Sequence, residues 1–174
     1  DGCRVLQSML KHGSQEQKTK IIEKLLPIFA ELMVYKYSHH LSYRMVQYCT
    51  DEQQKKKIMS LIKNKIGTYI MHMYASEVVE TLYANGKSSE KKELLHAFYD
   101  NYFLILQENK DKSIRKVLED KPALKEGVTS KLESLVHKLI DKGLTRHTIV
   151  QALIYDYVSI ADEEQLNEML SLLM

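Results

Sequence analysis

Glycine, proline, cysteine and tryptophan are scarce in this 174-residue chain, which has 6 Gly, 2 Pro, 2 Cys and no Trp. So little turn material, with no stretch that alternates in polarity long enough for a strand, argues against an all-β fold. No run of 18 apolar residues exists, so we expect no membrane partner. Cys3 and Cys49 lie in apolar patterns, which is typical of reduced cysteines in an intracellular protein rather than of a disulfide scaffold.

Sequence signatures of catalysis and of metal binding are missing as well. Among the seven histidines, His39 and His40 are adjacent, so on a helix their side chains would point in different directions. There is no His-Glu-x-x-His run and no Cys-x-x-Cys pair, and neither a glycine-rich phosphate loop nor a Gly-x-Ser-x-Gly turn occurs. We therefore expect no enzyme, no metal and no other cofactor.

Signals for short helices, in contrast, occur along the whole chain. Ser14 followed by Gln17 predicts a capping box. Pro27 lies inside the helical segment that this box opens, and it predicts that the segment bends or breaks into two short helices. Thr50 or Asp51 predicts the next cap. Further helices are predicted over 88–106 and 123–144, and a last one opens at Asp162. Most of these helices would have about 10 to 15 residues, and helices of that length are marginal alone and must stack on neighbours.

Five segments repeat one pattern at spacings of 36, 37, 36 and 35 residues. They start at Asp1, Tyr37, Tyr74, Lys110 and Thr145. The fifth and ninth positions of every segment are apolar: Val5 and Met9, Leu41 and Met45, Val78 and Leu82, Ile114 and Leu118, Ile149 and Leu153. Positions i and i+4 share one face of a helix, so each segment predicts a helix with its apolar face turned inward. A fixed period of this length is the signature of a repeat architecture.

Charge is unevenly distributed along the chain although the net charge is only +2. Residues 147–174 hold five acidic side chains and no Lys or Arg, whereas residues 1–146 hold 25 basic and 18 acidic side chains, a local net of +7. A basic body is compatible with a nucleic-acid partner, and it is equally compatible with an ordinary solvated surface.

The repeated segments resemble the RNA-facing second helix of the Pumilio (PUF) repeat. The stretches GCRVLQSMLKHGSQEQK, ELMVYKYSHHLSYRMVQYCT, MYASEVVETLYAN, KSIRKVLEDKP and RHTIVQALIYDY are similar to the divergent nucleolar branch, the Puf-A or Penguin type. The resemblance implies a right-handed all-α solenoid of about five three-helix repeats, in a single domain over 1–174. Solenoids need polar terminal caps, and the chain begins inside a repeat helix, so we expect a fragment of a longer protein.

In that family, three set positions of each second helix face one base. The resemblance assigns them here to Cys3, Arg4 and Gln7, to His39, His40 and Tyr43, to Ser76, Glu77 and Glu80, to Lys112, Ser113 and Lys116, and to His147, Thr148 and Gln151. The first set resembles an adenine reader and Ser76 with Glu80 resembles a guanine reader, whereas Glu77 cannot stack and the other sets match no familiar code. The candidates for gripping the RNA backbone are Lys11, Lys36, Arg44, Arg115, Lys116 and Arg146. Lys55, Lys56 and Lys57 form a patch on another helix.

The resemblance therefore implies an RNA-binding module with little or no sequence preference. Its expected place is the nucleolus of the nucleus, in the processing of large-subunit precursor RNA, with translational repression and contacts to ribosomal or assembly proteins as further expectations. The alternative is a protein-binding scaffold of the HEAT or armadillo kind that never touches nucleic acid. Salt-dependent binding to RNA separates the two hypotheses.

Overall fold

The computed structural model describes residues 2–173, and within that range it contains α-helices and short 3-10 helices and no strand. No helix in the described range is long and apolar enough to cross a membrane. Contacts divide the chain after Gly86 into two compact units, residues 2–86 and 87–173. The sequence predicted one domain over 1–174, and the first segment's start at Asp1 lies outside the described residues.

The first unit holds seven α-helices within residues 2–86. They are α1 (Gly2–His12), α2 (Gln15–Leu25), α3 (Phe29–Val34), α4 (His39–Tyr48), α5 (Glu52–Lys63), α6 (Ile66–Ile70) and α7 (Ala75–Ala84). Three helices separate the start of one segment from the start of the next here, since α1 to α3 precede α4 and α4 to α6 precede α7.

Local sequence explains where these helices begin and end. Ser14 and Gln17 form the predicted capping box at the start of α2, which satisfies two backbone donors that the helix leaves open. Pro27 lies in the 3-10 segment Leu26–Ile28 between α2 and α3, as expected of a residue that removes a helical hydrogen bond. Of the two caps proposed for α5, Asp51 is the one used, since its side chain accepts from the Gln54 N–H at 2.8 Å.

Helices α1, α4 and α7 pack side by side, α1 on α4 and α4 on α7. The apolar positions of the repeat pattern make this core, and Leu41, Met45, Val78 and Leu82 are all buried. The prediction is wrong for the first segment, because Val5 and Met9 are 59% and 37% exposed. Helix α1 buries Leu10 instead, on the side that faces α2 and α4.

The second unit holds six α-helices within residues 87–173. They are α8 (Ser88–His96), α9 (Phe103–Glu108), α10 (Ile114–Asp120), α11 (Lys125–Asp141), α12 (Thr148–Ile160) and α13 (Glu163–Leu173). Helix α12 packs on both α10 and α11, and α11 also contacts α13. The buried pairs Ile114 with Leu118 and Ile149 with Leu153 confirm the repeat pattern in this unit.

Several predicted helix boundaries in the second unit are wrong. The helix predicted over 88–106 is interrupted by the 3-10 segment Ala97–Tyr102, where Asp100 has φ of 46°. That left-handed conformation is costly for a residue with a Cβ, and Asp100 is bonded there to Lys131. The last two segments begin their helices at Ile114 and Thr148 rather than near Lys110 and Thr145. The helix predicted over 123–144, in contrast, is present as the 17-residue α11.

Candidate nucleic-acid interface

The repeat pattern places the predicted base-facing residues of the first unit near the starts of α1, α4 and α7. Because these three helices are neighbours, positions far apart in sequence meet on one surface. Gln7, His39, His40, Tyr43, Arg44 and Glu77 line one cavity of about 250 Å³, which we call the ring groove. Five of these six residues belong to the predicted base-facing sets, and Arg44 belongs to the predicted backbone-gripping set.

Stacked rings form one wall of the ring groove. The ring centroids of His39 and His40 are 3.9 Å apart, and the ring of Tyr74 stacks on His39 at 4.7 Å with an interplanar angle of 17°. The pKa of His40 is lowered by burial and, in addition, by the neighbouring His39 and Arg44. A lowered pKa keeps His40 neutral at physiological pH, and a neutral imidazole both donates and accepts hydrogen bonds.

Arg44 brings a cation to the same groove. Its guanidinium carbon lies 5.5 Å from the ring centroid of Tyr43 and 5.9 Å from that of Tyr48. One guanidinium nitrogen donates to the side-chain oxygen of Gln47 at 2.7 Å. Contact with aromatic rings fixes the plane of a guanidinium group, and a fixed, planar cation can stack on a base or pair with a phosphate.

The other predicted residues of the first unit lie at varied distances from this groove. Cys3, Arg4 and Lys11 are exposed on α1, and Glu80 is half-buried on α7. Lys36 is exposed in the turn before α4, where its ammonium group lies 5.3 Å from the ring centroid of Tyr37. The patch of Lys55, Lys56 and Lys57 lies on α5, as expected, and therefore on a different helix from the groove.

The assignment of Ser76 to the base-facing set is wrong. Ser76 is only 3% exposed and lies in the core face of α7 with Ala75 and Val79. The i, i+4 pattern identified the inward face but not its width, and a small serine at its edge fits inside. Without Ser76 the third segment keeps no guanine-type pair, and Glu77 is the side chain that it contributes to the ring groove.

The predicted cations on α10 and just before it are paired with acids of α10. Lys112 lies 2.6 Å from a carboxylate oxygen of Asp120, Arg115 lies 3.4 Å from Glu119, and Lys116 lies within 3.5 Å of both acids. Hydrogen bonding to Asp120 raises the pKa of Lys116, and hydrogen bonding to Lys112 lowers the pKa of Asp120. Ser113 is exposed, and its hydroxyl accepts from the Lys116 N–H and caps α10.

In the fifth predicted set, two of the three side chains are buried or hydrogen-bonded within the protein itself. His147 is 2% exposed, so its assignment as a base-facing residue is wrong. It stands at the N-cap of α12, and its Nε2 is buried with no hydrogen-bond partner among the described residues. The side chain of Gln151 donates to the Thr145 carbonyl at 3.0 Å and closes the turn before α12, while Arg146 and Thr148 are exposed in and after that turn.

Tyr74 does not line the ring groove, but it contacts a residue that does. It stacks on His39, although the sequence indicated only a packing role for it. The signal was present, because Tyr37 and Tyr74 open two successive segments at a spacing of 37 residues.

As for metals, no three His, Cys, Asp or Glu side chains between residues 2 and 173 form a group that could hold an ion.

Helices stacked at a regular repeat, with a groove on one face that is lined by aromatic and imidazole rings, Arg44 and Glu77, are typical of a helical repeat protein. The model of the Pumilio-family RNA binding repeat matches residues 2–26 and 29–63. Pumilio homolog 24 of Arabidopsis thaliana is 28% identical over 98% of this chain, which covers 27% of that protein. The family model and the relative together support a Pumilio-family protein.

Solved structures show the same fold. Human Puf-A matches 98% of this chain with a TM-score of 0.85 at 23% identity, and this chain covers 34% of that chain. The Puf3 RNA-binding domain, solved bound to a Cox17 RNA 3′ UTR recognition sequence, matches with a TM-score of 0.54 at 19% identity, with 98% and 48% of the two chains covered. The fold is thus an all-α solenoid of Pumilio repeats. The chain spans about a quarter of the length of the curated relative quoted above.

Proposed function

We propose that this chain binds single-stranded RNA at the ring groove with little preference for base sequence. The observation that carries the proposal is the convergence of His39, Tyr43 and Arg44 on one cavity of about 250 Å³. Aromatic, imidazole and guanidinium planes stack on any base, because every base has a π face. Such stacking contributes about 1–3 kcal/mol per base without selecting its identity.

Weak specificity is supported by what the repeat positions contain. A base-reading repeat needs a hydrogen-bonding pair on each helix, and only Cys3, Arg4 and Gln7 retain a set that resembles a familiar reader. Ser76 and His147 are buried, so they present no polar edge to a base. Affinity would then come from stacking and from phosphate neutralisation, both of which are independent of sequence.

The distribution of charge favours the first unit as the RNA-binding part. Residues 1–86 contain 12 Lys and Arg against 8 Asp and Glu, whereas residues 87–174 contain 13 against 15. The cations of α10 are also paired with Glu119 and Asp120. A phosphate at α10 would have to displace those carboxylates, whereas Arg44 at the ring groove is held by neutral partners.

In the cell, we propose that the protein acts by binding alone, without catalysis, in nucleolar ribosome biogenesis. Precursor ribosomal RNA is the proposed target, ribosomal or assembly proteins are the proposed partners, and translational repression of bound messages is a second possible output. Support comes from the likeness to the Puf-A fold and from the RNA-bound state of the Puf3 domain. This role is tested in the full-length protein, by asking whether a groove variant restores precursor processing after depletion as the wild type does.

The direct test measures binding of a fluorescein-labelled 12-nucleotide RNA of random sequence by fluorescence anisotropy at several salt concentrations. The double variant Tyr43→Ala with Arg44→Ala removes one stacking plane and one cation from the ring groove. We expect its Kd to rise at least about tenfold, which corresponds to about 1.4 kcal/mol. We also expect unlabelled RNAs of different sequence to compete almost equally.

The matched control is Tyr155→Ala, which removes an aromatic ring that is 75% exposed on α12 of the second unit. It should leave the Kd within about twofold, since a surface ring outside the groove makes no contact in this proposal. An equal loss in both variants would place RNA elsewhere. Selection of a tight consensus with one base per repeat would contradict weak specificity, and no binding at low salt would favour a protein scaffold instead.

A further inference from the structure

A second groove lies within the second unit, between α11 and the junction of α12 with α13. We call it the acidic groove; its volume is about 420 Å³, and its lining includes Lys125, Glu126, Thr129, Glu133, Ile160 and Asp162. On α11, residues 125, 126, 129 and 133 follow helical spacing, so they form one continuous face. The RNA proposal does not involve this groove.

Carboxylates dominate the charge of the acidic groove. The lining of the groove contains three acidic side chains, Glu126, Glu133 and Asp162, against one cation, Lys125. Residues 147–174 supply no Lys or Arg to balance them. The Tyr157 hydroxyl donates to Glu133 at 3.1 Å. Burial raises the pKa of Tyr157, and the nearby Glu133, Glu168 and Asp162 raise it further, so several negative charges act on the same small region.

A buried, unpartnered hydroxyl marks the same groove as a binding site. Thr129 lines the groove and is 8% exposed, and its Oγ1 has no hydrogen-bond partner among the described residues. An unsatisfied buried hydroxyl costs about 1–3 kcal/mol. A ligand that brings a hydrogen-bond donor into the groove satisfies this oxygen together with the carboxylates around it.

A cavity lined by both apolar and charged side chains, with Arg115 and Glu119 among them, continues the acidic groove toward α10. It has a volume of about 560 Å³ and shares Pro122, Lys125 and Ile160 with the acidic groove. Leu118 and Val158 also line it, and Val158 is 42% exposed. A cavity of this kind suits one aliphatic side chain, whose burial would remove exposed apolar surface from water.

We propose that the acidic groove, together with the cavity that continues it toward α10, binds a Lys- or Arg-rich segment of a partner protein. This segment carries an aliphatic side chain beside its cations. An Arg side chain matches the chemistry, since its guanidinium donates several hydrogen bonds to carboxylate and hydroxyl acceptors at once. The carboxylates come from two places, Glu126 and Glu133 on α11 and Asp162 just before α13, so an extended segment can place one cation near each.

RNA is excluded as the occupant by charge, because its phosphates would face Glu126, Glu133 and Asp162. The two grooves therefore have opposite preferences, and loss of one kind of binding leaves the other intact. This separates a failure of the peptide proposal from a failure of the RNA proposal in one set of variants.

The experiment uses two fluorescein-labelled peptides and the full chain, measured by anisotropy at about 50 mM salt, where charge attraction is weakly screened. The first peptide is Gly-Arg-Leu-Arg-Gly-Arg-Leu-Arg-Gly, and in the second each Leu is replaced by Ser. The test variant is Glu126→Gln with Glu133→Gln, which removes two charges but keeps an acceptor for Tyr157. We expect the Kd for the first peptide to rise at least about tenfold.

The matched control, Glu108→Gln with Asp141→Asn, removes the same charge at exposed positions of the same unit that lie outside the groove. It should change the Kd by less than about twofold. The variant Val158→Ser should weaken the Leu peptide and not the Ser peptide. Equal losses in both charge variants, equal responses of both peptides to Val158→Ser, or no binding by the wild type would overturn the proposal.

Discussion

Ser42 carries a hydroxyl that the core of the first unit does not use. Ser42 is fully buried in α4, and its Oγ has no hydrogen-bond partner among residues 2–173. Ser42→Ala removes an unsatisfied polar group, changes the volume little and improves helix propensity. We expect it to raise the free energy of unfolding by about 0.5–1.5 kcal/mol, measured by urea denaturation. The exposed Ser8→Ala is the control, and a loss of stability in Ser42→Ala would reveal a bond to that hydroxyl.

Asp156 is a half-buried charge whose cost depends on pH. Burial raises its pKa to about 6, although the hydroxyl of Tyr99 donates to it at 2.7 Å. Since the folded-state pKa is raised, the stability that this carboxyl contributes is fully present below its usual pKa of 3.8 and is lost as the pH rises through about 6. At neutral pH the folded protein therefore carries a penalty that an amide would avoid.

Asp156→Asn keeps an acceptor for Tyr99 and removes the charge. We expect the variant to be more stable than the wild type by about 1–3 kcal/mol at pH 7.5, with the gain growing between pH 4 and 6 and constant above pH 7. Urea denaturation across that range measures it. The exposed Asp141→Asn should shift stability by less than about 0.5 kcal/mol. A gain in Asp156→Asn that is independent of pH would contradict the assigned cause.

At the scale of the element, the turn between α1 and α2 depends on a glycine. A Cβ on Gly13 would lie 2.5 Å from the Met9 carbonyl oxygen and 2.9 Å from the Gln17 side-chain oxygen, which belongs to the capping box. We expect Gly13→Ala to destabilise the first unit by about 1–2 kcal/mol, because a backbone oxygen cannot easily move away. Thermal or urea unfolding measures the loss.

Gly67 provides the opposite case in the same unit. It lies within α6, and a Cβ there would meet nothing within 4 Å. Gly67→Ala should stabilise by about 0.5–1 kcal/mol, because alanine loses less backbone entropy in a helix. If both substitutions had the same sign, the close contacts at Gly13 would not control that turn.

Elements with an explicit local signal were predictable from the sequence. Ser14 and Asp162 mark helix starts because their side chains cap backbone N–H groups, and Pro27 marks a break because it lacks a backbone donor. The structure has helix boundaries at all three residues. The break at Asp100 was not predictable, because it depends on a left-handed aspartate held by Lys131, which is 31 residues away. Ser113 was assigned a role on a repeat helix, whereas its hydroxyl acts as the cap that starts α10 late.

At the scale of the whole molecule, periodicity predicted which side chains share the ring groove but not which of the assigned residues are buried. The repeat pattern brought Gln7, His40 and Tyr43 to one groove, because neighbouring repeats align equivalent positions. It could not reveal that Ser76 and His147 are buried, since small or polar residues at the edge of an apolar face look alike in sequence. It also could not reveal which cations are neutralised, because that depends on how each side chain folds toward a nearby acid.

The paired cations of α10 lead to a prediction of gained function, conditional on the RNA proposal. Glu119 and Asp120 hold Lys112, Arg115 and Lys116. Replacing both acids by amides, Glu119→Gln with Asp120→Asn, should release these three exposed cations for phosphate. Each phosphate contact that single-stranded RNA gains steepens the dependence of log K on log salt by about 0.7. We therefore expect several-fold tighter RNA binding at low salt and a slope steeper by about 1–2, measured by anisotropy titrations at several salt concentrations.

The control for this gain is Glu163→Gln with Glu164→Gln, which changes the net charge equally at the start of α13. A general change in charge raises affinity in both double variants alike, whereas the release of specific cations raises it in the α10 variant alone and steepens its salt slope. Unchanged binding in the α10 variant would mean that RNA never reaches α10, and contact would then be confined to the first unit. Combining the α10 variant with Tyr43→Ala and Arg44→Ala separates these cases, because binding that survives loss of the ring groove must use the released cations.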